Sequence, residues 1–293
     1  MQATITETNA ANVPTSFAEI GGRQLAYREI GRGPPLILCL RFRGVLDSWD
    51  PAFLDALASS FRVLTFDYSG LGQSSGTASY QAEEMARDVI DLADALGLDR
   101  FAVGGWSLGG MAAQLAAFMA PNRITHAVLI GTKPPGAVEF PPEPVFLEHA
   151  LKPDYDLDDE IVLFFEPVSS ASRAAAAASH ERIAGRRGDR SPPISQETYL
   201  NLLQDRVADD RFAADEDCRS FLARTDIPIL VISGDHEIVF PAGNWFACSR
   251  EWQSLHLLVL PRMGHGPQHE APELVADIIA SFVRNRSRSF GAL

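Results

Sequence analysis

The chain has 293 residues, of which 46% are hydrophobic and 22% charged, and its formal net charge is −13. This is an ordinary globular composition, long enough to bury a large core in one domain or two. The acidic balance argues against nucleic-acid binding, which needs basic patches. Cys39, Cys218 and Cys248 are too few and too widely spaced for a disulfide framework or a Cys-x-x-Cys zinc site, so no metal and no cofactor is expected.

Met1 to Pro14 is polar, without Lys or Arg and without an apolar run, so no signal peptide is expected. No later segment has the length of a membrane span. The expectation is a cytoplasmic monomer or homodimer that meets a small molecule, not a membrane or a nucleic acid. Residues 1–16 and 289–293 are expected to be flexible tails, and the basic run Arg284–Ser289 a frayed end.

In chain order, the first predicted element is a hairpin from Phe17–Ile20 to Gln24–Glu29 across Gly21-Gly22. The apolar run Leu36–Leu40 is a strand. Asp50-Pro51 opens a helix, with an N-cap followed by proline at the first helical position. Strand Val63–Asp67 follows, then a helix with Met85, Val89, Leu92 and Leu96 on one face, stopped at Gly97. Arg100–Gly104 is a strand, Met111–Ala120 a helix and Ile124–Ile130 a strand. This alternation predicts a mostly parallel sheet with helices on both faces.

The alternation then breaks. From Lys133 to Thr225 no strand is evident, and helices are expected at Val145–Leu151, Asp158–Phe165, Ser172–Ile183 and Gln196–Val207. The proline-rich start of this region and the loop Gly185–Pro193 are the expected moving parts. The β-branched run Pro228–Ser233 resumes the sheet as a buried strand. Leu255–Pro261 is the last strand, and Ala271-Pro272-Glu273 opens the last helix.

Chemistry concentrates in three places. Gly105-Trp106-Ser107-Leu108-Gly109-Gly110 lies between a strand and a helix, the setting of a nucleophile elbow. Such a turn strains the serine backbone, excludes a Cβ on the flanking residues, and points the helix N-terminus at the reacting group. A serine needs a base with a pKa near the working pH. His265, after the last strand, is the histidine in the right setting, with His269 the nearest competitor. His126, His149 and His180 fall inside predicted elements and are read as structural. The third member is a carboxylate to orient the histidine, and Asp235 and Glu237 both stand at the end of the preceding strand.

These pieces resemble the α/β-hydrolase fold family of serine hydrolases. The turn Asp67-Tyr68-Ser69-Gly70-Leu71-Gly72-Gln73-Ser74, the pieces Met85–Val89 and Leu96–Leu98, and Gly264-His265 followed by Glu270 and Pro272 resemble further family motifs. The order Ser107, Glu237, His265 matches the family's. In the family the acid stands four residues before a proline; with Pro241 that register selects Glu237, with Asp235 as the alternative. The resemblance implies an α/β-hydrolase core at 17–132 and 226–288 and a helical cap at 133–225.

One departure is clear. Where most relatives have His-Gly, this chain has Leu40-Arg41, which aligns Phe42 with the first oxyanion donor; Leu108 would be the second. Arg41 and Arg43 are left open between contact with a substrate carboxylate and bracing of the loop. Trp106, Arg41, Phe164, Phe165 and Phe146 are the expected pocket residues, with Phe140 and Tyr199 as further aromatic candidates. The implied activity is hydrolysis of an apolar ester, thioester or lactone through an acyl-enzyme. Carbon–carbon or amide hydrolysis, lyase or perhydrolase chemistry, and a receptor-like binding role are the alternatives.

Overall fold

The computed structural model describes residues 9–284. Eight strands form one sheet: β1 (Ser16–Ile20), β2 (Arg23–Ile30), β3 (Pro35–Cys39), β4 (Arg62–Phe66), β5 (Phe101–Trp106), β6 (Ile124–Ile130), β7 (Ile229–Gly234) and β8 (Leu255–Leu260). Their spatial order is β1-β2-β4-β3-β5-β6-β7-β8. The β1–β2 and β2–β4 pairs are antiparallel, and the other five are parallel.

Between the strands run the helices α1 (Pro51–Ala58), α2 (Ala82–Ala95), α3 (Leu108–Met119), α4 (Pro144–Ala150), α5 (Leu157–Phe164), α6 (Ser170–Ala184), α7 (Gln196–Ala208), α8 (Glu216–Arg224), α9 (Cys248–Glu251), α10 (Pro267–Glu270) and α11 (Pro272–Arg284). Asp50 caps α1 as its sequence requires, accepting from the Ala52 amide at 2.9 Å. One helical group joins α1 to α11; another joins α2, α3 and α8. Every residue of β5 is buried. Its Phe101 and Val103, each about 1.5–3 kcal/mol of apolar burial, fix the strand that carries the elbow.

Three expectations are corrected. The first concerns the amino-terminal tail. Residues 9–16 are not a loose tail: Ala10 and Val13 are buried, and their carbonyls accept from the buried Arg186 guanidinium at 3.3 and 2.7 Å. The polar composition concealed two small apolar anchors and a cation far away in the chain. Residues 1–8 and 285–293, including most of the basic run at the carboxyl end, lie outside the described residues.

The second concerns the Gly185–Pro193 loop, which is tied down rather than free. The Ser191 amide donates to Asp47 at 2.6 Å, and the Ser191 hydroxyl donates to Asp67. Asp67 also accepts from the amides of Leu46 (2.7 Å) and Gln73 (2.9 Å), so the Asp67–Ser74 turn and the loop share one buried carboxylate.

The third concerns residues 133–225, for which four helices are expected. They contain α8, absent from the sequence reading, and α8 packs against the elbow helix α3 with Phe118 and Phe221 rings 5.5 Å apart. Its short Cys218/Leu222 face, one helical turn long, is too brief to show as a periodic signal.

Candidate active site

Ser107 stands between β5 and α3 with φ 60° and ψ −121°, a left-handed conformation that costs a non-glycine residue energy. The surroundings enforce it. The Ser107 amide donates to Ile130 O at 2.9 Å, and the Gly110 amide donates back to Ser107 O at 2.9 Å. A Cβ on Gly105 would overlap the Gly109 carbonyl, and one on Gly109 would overlap the Cys39 carbonyl and reach 2.6 Å from Leu40 O. Both flanking glycines are therefore demanded by the close approach of β5, α3 and β3.

His265 lies in the loop after β8 and is 2% exposed. Its Nδ1 is 2.7 Å from Oε2 of Glu237, whose other oxygen accepts from the amides of Val239 (2.7 Å) and Phe240 (3.1 Å). The carboxylate is thus fixed by its own turn and presents one edge to the imidazole. Gly131, at the end of β6, lets them pass: a Cβ there would lie 3.0 Å from both Glu237 Oε2 and His265 Nδ1. Asp235 points elsewhere. It is half-exposed and pairs with His236 at 2.6 Å, and His236 in turn meets Glu166 at 2.9 Å.

The histidine loop is clamped through its backbone and its ring. Trp106 Nε1 donates to His265 O at 2.8 Å, and the Gly266 amide donates to Phe164 O at 2.7 Å. The Phe164 ring is near-parallel to the imidazole, with centroids 6.3 Å apart. Phe165 runs so close to Gly264 that a Cβ there would reach 2.5 Å from the Phe165 carbonyl.

His269, the other candidate base, is enclosed by aromatic rings. It is 3% exposed between Trp49 and Trp106, and burial depresses its pKa to about 4. Its Nε2 accepts from the Asp50 amide at 3.4 Å, and its Nδ1 faces Ser179 Oγ at 3.5 Å.

A model of the α/β hydrolase fold matches residues 34–272. The chain belongs to the α/β-hydrolase fold family. It is 30% identical to a proline iminopeptidase of Pestalotiopsis fici over 90% of this chain and 98% of that one. It is 27% identical to a pimeloyl-[acyl-carrier protein] methyl ester esterase of Nitrosomonas europaea, over 83% and 93%. An α/β-hydrolase fold protein from Chitinophaga pinensis superposes with a TM-score of 0.81 at 27% identity, covering 94% of this chain and 99% of that one.

Within this hydrolase fold, a cavity of about 270 Å³ opens beside Ser107. Phe42 and Leu108 line it together with the serine, and among the described residues neither backbone amide donates to a protein acceptor. Of the aromatic and arginine candidates, Phe146 and Phe140 are in the wall, and Trp106, Arg41, Phe164, Phe165 and Tyr199 are not. Leu147, Leu151 and Leu203 complete the helical side, and Val239 and Phe240 the side nearest Glu237.

Trp106, Phe164 and Phe165 instead pack behind His265, because the apolar faces that suggested a pocket are used to hold the histidine loop. Arg41 stays with them. Its guanidinium lies 4.5 Å from the Phe164 ring centroid and 5.2 Å from that of Trp106, and donates to Phe42 O at 2.7 Å.

Arg43 braces the loop against α4. It donates to the carbonyls of Ala150 (3.0 Å), Lys152 (2.6 Å) and Pro153 (2.6 Å), between the rings of Tyr155 and Tyr199. Three carbonyl acceptors at the end of a helix suit a guanidinium. Lys133, Arg206 and Asp210 also line the cavity, and the sequence reading did not single them out. No group of His, Cys, Asp or Glu among the described residues is arranged to hold a metal ion, and no described helix is long and apolar enough to cross a membrane.

Proposed function

We propose that the protein is a serine hydrolase that cleaves a carboxylic ester through an acyl-enzyme. The observation that carries this reading is the buried Glu237–His265 contact of 2.7 Å beside a serine held at φ 60°. Ser107 Oγ attacks the ester carbonyl while His265 takes its proton. Glu237, accepting from Nδ1, selects the tautomer that leaves Nε2 free as base and stabilises the imidazolium. The amides of Leu108 and Phe42 receive the oxyanion, a contribution of roughly 10²–10³ in rate per donor. His265 then protonates the leaving alcohol, and water repeats the sequence on the acyl-enzyme.

The cap in this reading is residues 133–225, from which Val138, Phe140, Phe146, Leu147, Leu151 and Leu203 wall the cavity over Ser107. Their apolar character fits a hydrocarbon portion of the substrate. The named activity of the Nitrosomonas relative, a methyl ester esterase, supports an ester as substrate.

The test is a panel of alkyl esters, thioesters, lactones and anilides, with Ser107→Ala as blank. Ester turnover lost in the variant is the expected result. Turnover of anilides alone would move the reading to an amide hydrolase, the chemistry suggested by the name of the Pestalotiopsis relative.

A further inference from the structure

The Ser107 cavity contains charge that its apolar walls do not explain. Lys133, which follows β6, and Arg206, on α7, both line it and are 8% and 9% exposed. The carboxylate beside them is Asp210, 3.7 Å from Lys133 Nζ and 3.4 Å from Arg206 Nη2. Part of Asp210 is already engaged, because Oδ1 accepts from the Ala213 amide at 3.2 Å.

The framework of this cluster is rigid. Arg206 donates to Tyr80 O at 2.9 Å and to Met111 Sδ at 3.1 Å. Lys133 is pinned through its backbone, whose carbonyl accepts from the buried Gln114 at 3.0 Å. Its side chain is 10% exposed, and its ammonium has Asp210 at a long 3.7 Å and rests 5.9 Å from the Phe212 ring centroid. A buried ammonium with three donors needs acceptors, and the cavity is the side from which they can arrive. Two cations against one carboxylate leave a local excess of positive charge in a chain whose net charge is −13.

We infer that Lys133, with Arg206 beside it, forms an anion-binding subsite, and that the substrate is an ester bearing a carboxylate on the portion lodged in the cavity. The inference rests on the reading of Ser107 as nucleophile and narrows its substrate class. Met111, which touches Arg206, lies one turn along α3 from Ser107, about 6 Å of helical rise. A short hydrocarbon spacer between ester and carboxylate fits that separation. Burial lowers the pKa of Lys133, with Asp210 opposing the shift and Arg206 adding to it. A bound carboxylate would restore the charge balance.

The test compares hemi-esters of α,ω-dicarboxylic acids of increasing length with alkyl esters of the matching monocarboxylic acids. The readout is the ratio of kcat/KM, charged over neutral. Wild type is expected to favour the hemi-ester. In Lys133→Met the ratio should fall by roughly tenfold to a hundredfold, the loss expected for a hydrogen bond to a charged group. Lys133→Arg should retain most of it. Asp210→Asn, which preserves an amide-accepting oxygen for Ala213, should raise it.

Calorimetric binding of monocarboxylates to Ser107→Ala reads the subsite without turnover, and Lys133→Met introduced there should weaken it by a similar factor. A ratio and a binding constant that ignore Lys133 would overturn the subsite while leaving the hydrolase reading intact. Carboxylate binding that depends on Lys133, in a protein that hydrolyses no ester, would instead overturn the hydrolase reading and keep the subsite.

Discussion

Glu237 serves His265 with one carboxylate oxygen and its own backbone turn with the other: Oε2 lies 2.7 Å from Nδ1, and Oε1 accepts from the amides of Val239 and Phe240. Glu237→Gln can keep the turn bonds through its amide oxygen while losing the charge that stabilises the imidazolium. It should therefore fold normally and lose at least two orders of magnitude in kcat. Asp235→Asn, at a half-exposed side chain paired with His236, should stay within a few-fold of wild type. Steady-state kinetics of the two variants, with circular dichroism for folding, checks the ranking; the reverse order would contradict it.

The cavity wall gives the next expectation. Phe146 faces the cavity beside Ser107, so Phe146→Ala should lengthen the acyl or alkyl chain giving the highest kcat/KM, and Phe146→Trp should shorten it. Phe165 packs behind the histidine loop, so Phe165→Leu should lower kcat for all chain lengths alike. Relative rates across an ester series separate the two effects.

The difference between these phenylalanines was not legible in the sequence, and the reason is physical. Glycine spacing and strand–helix alternation are local properties, set within one turn or one strand. They single out Ser107 and His265 as candidates and mark the main helices between Lys133 and Thr225, while the family resemblance, through Pro241, selects Glu237 over Asp235. Which face of a covering helix meets the cavity depends on how it docks, and an apolar stripe looks the same over a substrate as over Trp106. Lys133 and Arg206 are 73 positions apart, and each alone looks like an ordinary surface cation. Their neighbourhood exists only after β6 and α7 are brought together. Ala10, Val13 and Arg186 were missed for the same reason.

Arg43 links the Phe42 loop to the end of α4, a bridge that the covering helices need for their position. Arg43→Ala removes three charge-assisted bonds to carbonyls, partly exposed, and should cost about 1–3 kcal/mol of stability. Because Phe42 is its neighbour, KM should rise and kcat fall together. Urea unfolding and steady-state kinetics read both; a variant with unchanged stability and kinetics would remove the brace.

His269 gives a pH signature of the fold. Its folded pKa of about 4 lies below the ordinary 6.5, so the native state favours the neutral ring. That contribution is complete above pH 6.5 and is lost as pH falls toward 4, amounting to about 3 kcal/mol over the window. Protonation at Nε2 would also set a donor against the Asp50 amide. His269→Gln should therefore flatten the stability curve between pH 6.5 and 4 relative to wild type. Parallel curves by chemical denaturation at each pH would place the acid sensitivity elsewhere.

The central claim is that Ser107 is an activated nucleophile, and covalent labelling by a fluorophosphonate tests it most directly. Intact-mass and peptide mass spectrometry should find one adduct per chain, on Ser107. The adduct should be absent in Ser107→Ala and formed far more slowly in His265→Ala. An unlabelled Ser107 in folded protein, or equal labelling of Ser107→Ala, would contradict the account.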